Sequence, residues 1–457
     1  MYQKEYHIFF VGIGGIGMSS IAEILLKLGY QVSGSDISSS DITKRLETLG
    51  GCVFEGHAAA NIKDADVIVT STAIQKNNPE VVAAKKASIP IIPRAEMLAE
   101  LMRLKYSIAV AGAHGKTSTT SITAAILEKA GLDPTVIIGG VLKSVGTNAM
   151  HGLGDFLVAE ADESDGSFLK FSPSLAIVTN IDREHLDYYD SLRTIKKAFV
   201  TFLSRVPFYG LSILCLDNEA VQEIIPEIKG RYTTYGINTR ADLQARSISF
   251  EGSTSKFTVW HHDIELGEIT LNLPGVHNVT NCLASIAVGI ELNIDFEHIK
   301  CALETIEGVQ RRLELKGEIN GVTVVDDYGH HPTEIKTTLL AARESWPEKR
   351  IVGVFQPHRH TRTEALYEEF TRAFYNTDKL IILPIYSAGE TAIKGITANS
   401  LCKQIKELGH EDVTYISSIK KAVEHLSEVL EDEDLLLTLG AGDVFKVGED
   451  YLKKAKA

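Results

Sequence analysis

Ten residues, Ala111–Thr120, reading AGAHGKTSTT, constrain this chain more than any others. The apolar run Ser107-Ile108-Ala109-Val110 precedes them, and a helical pattern, Thr120–Gly131, follows. Strand, glycine-rich turn, Lys-Thr and helix together make a phosphate cradle. Free N–H groups at a helix N-terminus meet anionic oxygens there. The residues expected on ATP are Gly112, Ala113, His114, Gly115, Lys116, Thr117 and Ser118, with Lys116 against the β/γ-phosphates and Thr117 on Mg²⁺. Counted from Gly112, the loop is one residue shorter than the common GxxxxGK[ST] spacing.

A chain of 457 residues is long for one core and suggests about three domains. The formal net charge of −14 argues against nonspecific nucleic-acid binding, which needs a cationic surface. Cysteines 52, 215, 282, 301 and 402 show no C-x-x-C spacing, so neither a disulfide framework nor a zinc site is expected. Ile8–Met18 is apolar but broken by four glycines, unlike a signal peptide, and no run approaches a membrane span. The cytosol is the expected compartment, with no membrane partner.

The fold class expected is α/β, in three blocks each built on a mostly parallel sheet. The first block opens with the strand His7–Val11 and the turn Gly12-Ile13-Gly14-Gly15-Ile16-Gly17. A helix over Ser19–Leu28 and a strand over Gln31–Ser35, ending at Asp36, follow. This G-x-G-x-x-G pattern suits a diphosphate, with the acidic residue on a ribose. By itself it leaves NAD, a UDP-sugar and mere tight packing open. Further strands are expected at Val67–Thr70 and Pro90–Ile92.

In the second block, strand-like runs at 156–160 and 175–180 end in polar residues, where open parallel sheets bind ligands. Glu160 stands at a strand end, and His185 follows Thr179-Asn180-Ile181-Asp182. Both are candidate Mg²⁺ ligands beside Thr117, although Mg²⁺ prefers oxygen. Glu163 and Asp165 read equally well as a solvated loop. Short alternating strands fill 241–273, and Pro274-Gly275 opens a helix expected over Val279–Ile290. Asn278 and Asn281 would share one face, suited to an adenine edge, with helix capping by Asn278 as the alternative.

The third block has strands expected at Val322–Val325, Ile351–Phe355, Leu380–Leu383 and Leu435–Leu439, and helices at Thr333–Ala342, Glu364–Phe374 and Thr397–Glu407. Polar clusters again follow the strands. Arg359 and Arg362 suit a carboxylate or phosphate. The pair His330-His331 has no third zinc ligand at a usual spacing.

Seven ordered motifs span nearly the whole chain: GIGGIGM at 12–18, GAHGKTST at 112–119, EADESD at 160–165, TNID-x-x-H at 179–185, PG-x-HN-x-x-N at 274–281, DDYGHHPTE at 326–334 and FQPHRHTRT at 355–363. Together they resemble the Mur ligase family, the ATP-dependent amide-forming enzymes of peptidoglycan precursor synthesis. The resemblance is strongest to members that join L-alanine to UDP-N-acetylmuramate. Two residues depart from the pattern: Ala113 stands where the family commonly has Thr or Ser, and His360 where it commonly has Tyr.

The resemblance implies three domains: 1–104 a Rossmann-like UDP-sugar-binding domain, 105–312 a P-loop-type ATPase domain, and 313–457 a Rossmann-like amino-acid-binding domain. It resolves the first glycine turn, Gly12 to Gly17 with Asp36, against NAD. It puts Lys116 and its loop on ATP, Asn278 and Asn281 near the adenine, Arg312 near the nucleotide, and Thr117, Glu160 and His185 around Mg²⁺. His330, Arg359 and Arg362 would face the amino acid and the reacting carboxylate. Val200 stands where related ligases place a carbamylated lysine, so none is expected. A murein-peptide recycling ligase is the nearest rival. An NAD-dependent dehydrogenase would leave Lys116 unexplained, and a non-catalytic nucleotide switch would leave Arg359 and Arg362 without purpose.

Overall fold

The computed structural model describes residues 5–71, 73–142, 147–184 and 188–456. The chain forms two compact units, one of residues 1–246, 259–267 and 280–303, the other of 247–258, 268–279 and 304–457. Among the described residues run three sheets of five, ten and six strands, which bears out the α/β expectation.

The five-stranded sheet has the order Cys52–Glu55, Gln31–Asp36, His7–Val11, Val67–Thr70, Ile91–Pro93, parallel throughout. His7–Val11 is buried along its whole length, as expected of a strand covered on both faces. Winding reverses on either side of it, which opens a crevice at its carboxyl end, where the first glycine turn lies. The helix after that turn runs Ile16–Lys27, three residues earlier than expected. The Ser19 and Ser20 hydroxyls donate back to the Ile16 carbonyl at 3.0 and 2.8 Å, inside the helix.

In the ten-stranded sheet, Tyr106–Ala111 lies between Phe156–Ala161 and Leu175–Val178, parallel to both. The register puts Val110 opposite Glu160 and Val178 opposite Ala111. Three neighbouring strand ends therefore deliver the phosphate loop, Glu160 and Thr179-Asn180 to one edge. The phosphate-loop helix begins at Lys116 itself and runs to Lys129. The alternating segment forms Leu243–Glu251, Thr254–His261 and Ile264–Leu271. The next helix is Val276–Glu291, so Asn278 is its third residue and not its cap.

The six-stranded sheet has the order Glu314–Ile319, Val322–Asp327, Asp434–Leu439, Arg350–Phe355, Lys379–Ile382, Val413–Tyr415, with only the first strand antiparallel. Separate apolar layers cover its two faces. Asp327, Leu439 and Phe355 stand in register, so the loops after those three strands gather together. The helix expected over Glu364–Phe374 is instead two, His360–Ala365 and Tyr367–Thr371. Leu366, at φ −118° and ψ 26°, interrupts it. Beyond the break, Phe370 and Phe374 pack on Phe355, with ring centroids 5.7 and 5.0 Å apart. Among the described residues no helix is long and apolar enough to cross a membrane.

Candidate active site

The central loop is shaped by two glycines. Gly112 has φ +135°, and a Cβ there would lie 2.1 Å from Thr179 Oγ1. Gly115 has φ +81°, and a Cβ would meet Asn281 Oδ1 at 2.6 Å. Only glycine satisfies both the backbone and the space. The strand end at 179–182 clamps the turn between them. Thr179 Oγ1 and Asn180 Nδ2 donate to the His114 carbonyl at 2.6 and 3.0 Å. The His114 N–H donates to Asn180 Oδ1 at 2.8 Å, and His114 Nε2 lies 3.1 Å from Asp182 Oδ2. The sequence presented TNID mainly as the approach to His185; the structure makes it the scaffold of the loop. His185 itself lies outside the described residues.

Lys116 Nζ donates to the Gly112 carbonyl at 2.6 Å and lies 2.9 and 3.1 Å from the two oxygens of Glu163. Glu163 is 3% exposed. Burial by itself lowers the lysine pKa, but Glu163 and then Asp162 outweigh it, and the net shift is upward. Lys116 is therefore a fixed cation. The acidic run 160–165 divides accordingly: Glu163 is buried at the loop, and Asp165 is solvated. The sequence could have favoured Glu163, because a buried lysine needs a carboxylate and this run is the acidic stretch after the neighbouring strand.

Glu160 accepts the Gly139 N–H at 2.8 Å. Thr117 is the second residue of the loop helix. A hydroxyl and a carboxylate are oxygen donors of the kind Mg²⁺ takes. Asn278 donates from Nδ2 to the Pro274 carbonyl at 2.8 Å, tying down the turn that enters its helix.

In the first glycine turn, the Gly12 and Ile13 N–H groups donate to the Ser35 carbonyl at 2.8 and 2.9 Å. Asp36 Oδ2 accepts the Gly14 N–H at 2.8 Å, and its Oδ1 accepts from Ile37. Asp36 thus holds the loop as well as standing at the strand end expected for a ribose contact. Ile13 is buried, Ile16 is exposed, and Gly17 lies within the helix and not in the turn.

In the second unit, Asp327 accepts from the N–H groups of Leu313 and Gly329 at 2.8 and 2.7 Å, and burial pushes its pKa up to about 6. Arg311 pairs with Asp326 at 2.9 Å and donates to the Gly440 and Gly442 carbonyls, so it fastens strand ends together. Arg312 lies over the Tyr328 ring and 3.7 Å from Glu334. Of the histidine pair, His331 caps the helix Pro332–Ser345 and accepts from the Thr333 N–H. His330 lies beside His358, with ring centroids 5.9 Å apart. Burial, helped by Arg362, lowers the His330 pKa to about 3 against the pull of Glu334. His358 is lowered to about 4 by burial, then Arg362 and Arg359. It stacks on Tyr386 at 5.5 Å and lies 3.3 Å from Arg362 Nη1. Arg359 is half exposed, 4.0 Å from Glu390. His360 opens the helix His360–Ala365. The two arginines and two neutral imidazoles make a positive surface suited to a carboxylate or phosphoryl oxygen.

Family models match the chain in order along its length. They are described as Mur ligase family, catalytic domain (residues 7–106), Mur ligase middle domain (110–289), and Mur ligase, glutamate ligase domain (311–442). UDP-N-acetylmuramate–L-alanine ligase of Desulforapulum autotrophicum is 63% identical over 453 residues, 99% of each chain. The enzyme of that name from Geobacter sulfurreducens is 53% identical, covering 99% of this chain and 98% of its own. Among solved structures, UDP-N-acetylmuramate–alanine ligase of Thermotoga maritima superposes with a TM-score of 0.81 at 29% identity, over 98% of this chain and 99% of that one. A murein peptide ligase of Psychrobacter arcticus gives 0.68 at 25% identity, over 98% of both chains. With relatives this similar along its whole length and three domain models tiled in order, the chain belongs to the Mur ligase family.

Proposed function

We infer that this chain joins L-alanine to the lactyl carboxylate of UDP-N-acetylmuramate at the expense of ATP. The products are UDP-N-acetylmuramoyl-L-alanine, ADP and phosphate, in peptidoglycan precursor synthesis. The observation that carries this reading is the 53–63% identity, end to end, to ligases bearing that name. The murein peptide ligase fold is shared, but at a lower TM-score and identity than the alanine ligase.

In this reading residues 1–104 take the UDP-sugar, 105–312 take ATP, and 313–457 take the amino acid. A carboxylate is a poor acyl donor, because oxide is a poor leaving group. The γ-phosphoryl of ATP moves to the lactyl carboxylate and makes an acyl phosphate. The amine of L-alanine attacks that carbonyl through a tetrahedral intermediate, and phosphate leaves. Lys116 offers fixed positive charge at the β/γ-phosphates, and within the loop 112–118 the residues Gly115–Ser118 offer backbone N–H groups, those of Ala113 and His114 being taken by Asn180. Asn278 and Asn281 stand by for the adenine, and Arg312 for the nucleotide. Arg359 and Arg362 face the carboxylate and the charge that develops on it, and neutral His330 faces the amino acid. Thr117, Glu160 and His185 would hold Mg²⁺, whose charge neutralises the phosphate oxygens. The nucleotide substrates put the reaction in the cytosol.

The test is phosphate release from ATP with Mg²⁺ and UDP-N-acetylmuramate, each candidate amino acid or peptide being added in turn. Release that needs both the sugar nucleotide and L-alanine is expected. Release only with a tripeptide would move the chain to the recycling branch.

A further inference from the structure

The first glycine turn has an electrostatic deficit that the central loop does not share. Between Gly12 and Lys27 the chain carries no Lys or Arg. One of the turn's N–H groups, that of Gly14, already points at a carboxylate, Asp36 Oδ2, 2.8 Å away. A diphosphate entering here would meet a negative neighbour and no cation from its own loop. Arg94 is the group that answers this. It is the first residue of the helix Arg94–Met102, directly after the strand Ile91–Pro93 in the same sheet. A Cβ placed on Gly17 would lie 2.9 Å from Arg94 Nη1 and 3.3 Å from its Cζ. The guanidinium therefore rests on the first turn of the helix Ile16–Lys27, in space that the missing side chain of Gly17 leaves open. Among the described residues no carboxylate or carbonyl pairs with it. Its helix neighbour Glu96 turns instead to Lys170, at 2.9 Å.

We propose that Arg94 is the diphosphate-binding cation of the UDP-sugar site, and that Gly17 is a glycine so that the guanidinium can lie there. This rests on the UDP-sugar reading of the first sheet and adds to it the residue that senses phosphate charge. The third glycine of the fingerprint thus leaves room for an arginine arriving from another strand. A planar fork of N–H donors suits two adjacent phosphoryl groups, and a charge-assisted contact is about twice as strong as a neutral one.

The experiment compares binding of UDP and of uridine, by calorimetry, to the full-length protein and to Arg94→Ala, Arg94→Lys and Gly17→Ala. ATP affinity serves as the check on folding. The parent protein is expected to prefer UDP strongly over uridine. Arg94→Ala should lower that preference by about tenfold to a hundredfold through weaker UDP binding, with uridine and ATP affinities kept. Arg94→Lys should recover part of it, and Gly17→Ala, which pushes the guanidinium aside, should lose part of it. A UDP-to-uridine ratio unchanged in Arg94→Ala overturns the proposal. A parent protein that binds UDP no better than uridine overturns the UDP-sugar reading itself, a different result. If Arg94→Ala loses ATP affinity as well, Arg94→Lys and Gly17→Ala decide: an unchanged ratio in both overturns the assignment, and a lowered ratio in Gly17→Ala supports it.

Discussion

The first and the central glycine loops are built alike and held differently. Each follows a buried parallel strand, opens a helix, and is gripped by a polar side chain from the end of a neighbouring strand. In the first loop the grip is a carboxylate, Asp36 on the Gly14 N–H. In the central loop it is an amide, Asn180 on the His114 N–H. The first loop has no cation of its own, whereas the central one has Lys116, locked by Glu163. On the assignment proposed above, UDP-sugar at the first loop and ATP at the central one, the difference follows the chemistry asked of each. A diphosphate that only anchors a substrate needs binding. A triphosphate that loses its terminal group needs a positive charge at one atom, held there before the reaction begins.

The comparison breaks most visibly at Lys116. Lys116→Ala should cost at least two orders of magnitude in ligation, since a preorganised contact of this kind is worth ~3 kcal/mol of barrier. It also strands Glu163, a buried carboxylate, which costs about 3–5 kcal/mol of stability. The double variant Lys116→Met with Glu163→Gln should regain most of the stability and none of the activity. Urea unfolding and turnover, measured on the same three proteins, separate the two roles. Near-normal turnover in Lys116→Ala would remove the lysine from the reacting phosphates.

Gly112→Ala comes next. Its Cβ would stand 2.1 Å from Thr179 Oγ1 on a backbone at φ +135°, so the loop must move. Strain of about 1–3 kcal/mol is expected, read as a rise of roughly tenfold or more in the KM for ATP, the KM for the sugar nucleotide being unchanged. Equal effects on both would mean that the two loops do not act separately.

A smaller and paired effect is expected from the grips. Asn180→Ala should raise the KM for ATP, and Asp36→Ala the KM for the UDP-sugar, each by about five- to tenfold, since each removes two hydrogen bonds whose net worth is ~1 kcal/mol. Crossed effects, with Asp36→Ala acting on ATP, would dissolve the division of labour between the loops.

The strands were easiest to read from the sequence, because a strand buried on both faces is a continuous apolar run, as in His7–Val11 and Leu435–Leu439. Motif residues at their carboxyl ends followed from the same topology. Helix starts were read late at Ser19, Thr120 and Val279, since glycine turns hand over to a helix with no conventional cap. The break at Leu366 is not legible in the sequence, because Glu364–Phe374 keeps helical periodicity. Partnerships were hardest. Glu163 lies 47 residues from Lys116, and Arg94 is 77 positions beyond Gly17; nothing local in either segment announces the other. The pair His330-His331 lacks a third zinc ligand at a usual spacing, and the role His331 does take, capping the helix Pro332–Ser345, is set by its place before Pro332.

The third cluster extends the comparison to pH, with the smallest effect. Its positive charge comes from Arg359 and Arg362, and the imidazoles beside them stay neutral. His330, with a pKa lowered to about 3, binds its proton in the unfolded chain near pH 6.5 but not in the folded one until much lower. Between those limits the unfolded state holds more protons, so stability falls as the pH drops below about 6.5. One such group accounts for at most ~2 kcal/mol at pH 5. His358, lowered to about 4, acts in the same sense. Asp327, raised to about 6, acts in the opposite one, since it takes up its proton first in the folded state. The net slope of the parent protein is therefore a difference, and the informative quantity is the change between proteins. His330→Gln removes one term and leaves Asp327 in place, so its stability should fall less between pH 7 and pH 5 than the parent's, by about 1 kcal/mol in urea unfolding. Identical slopes would mean that His330 takes up its proton over the same pH range in the folded and unfolded chains, so that the third cluster does not hold this imidazole neutral.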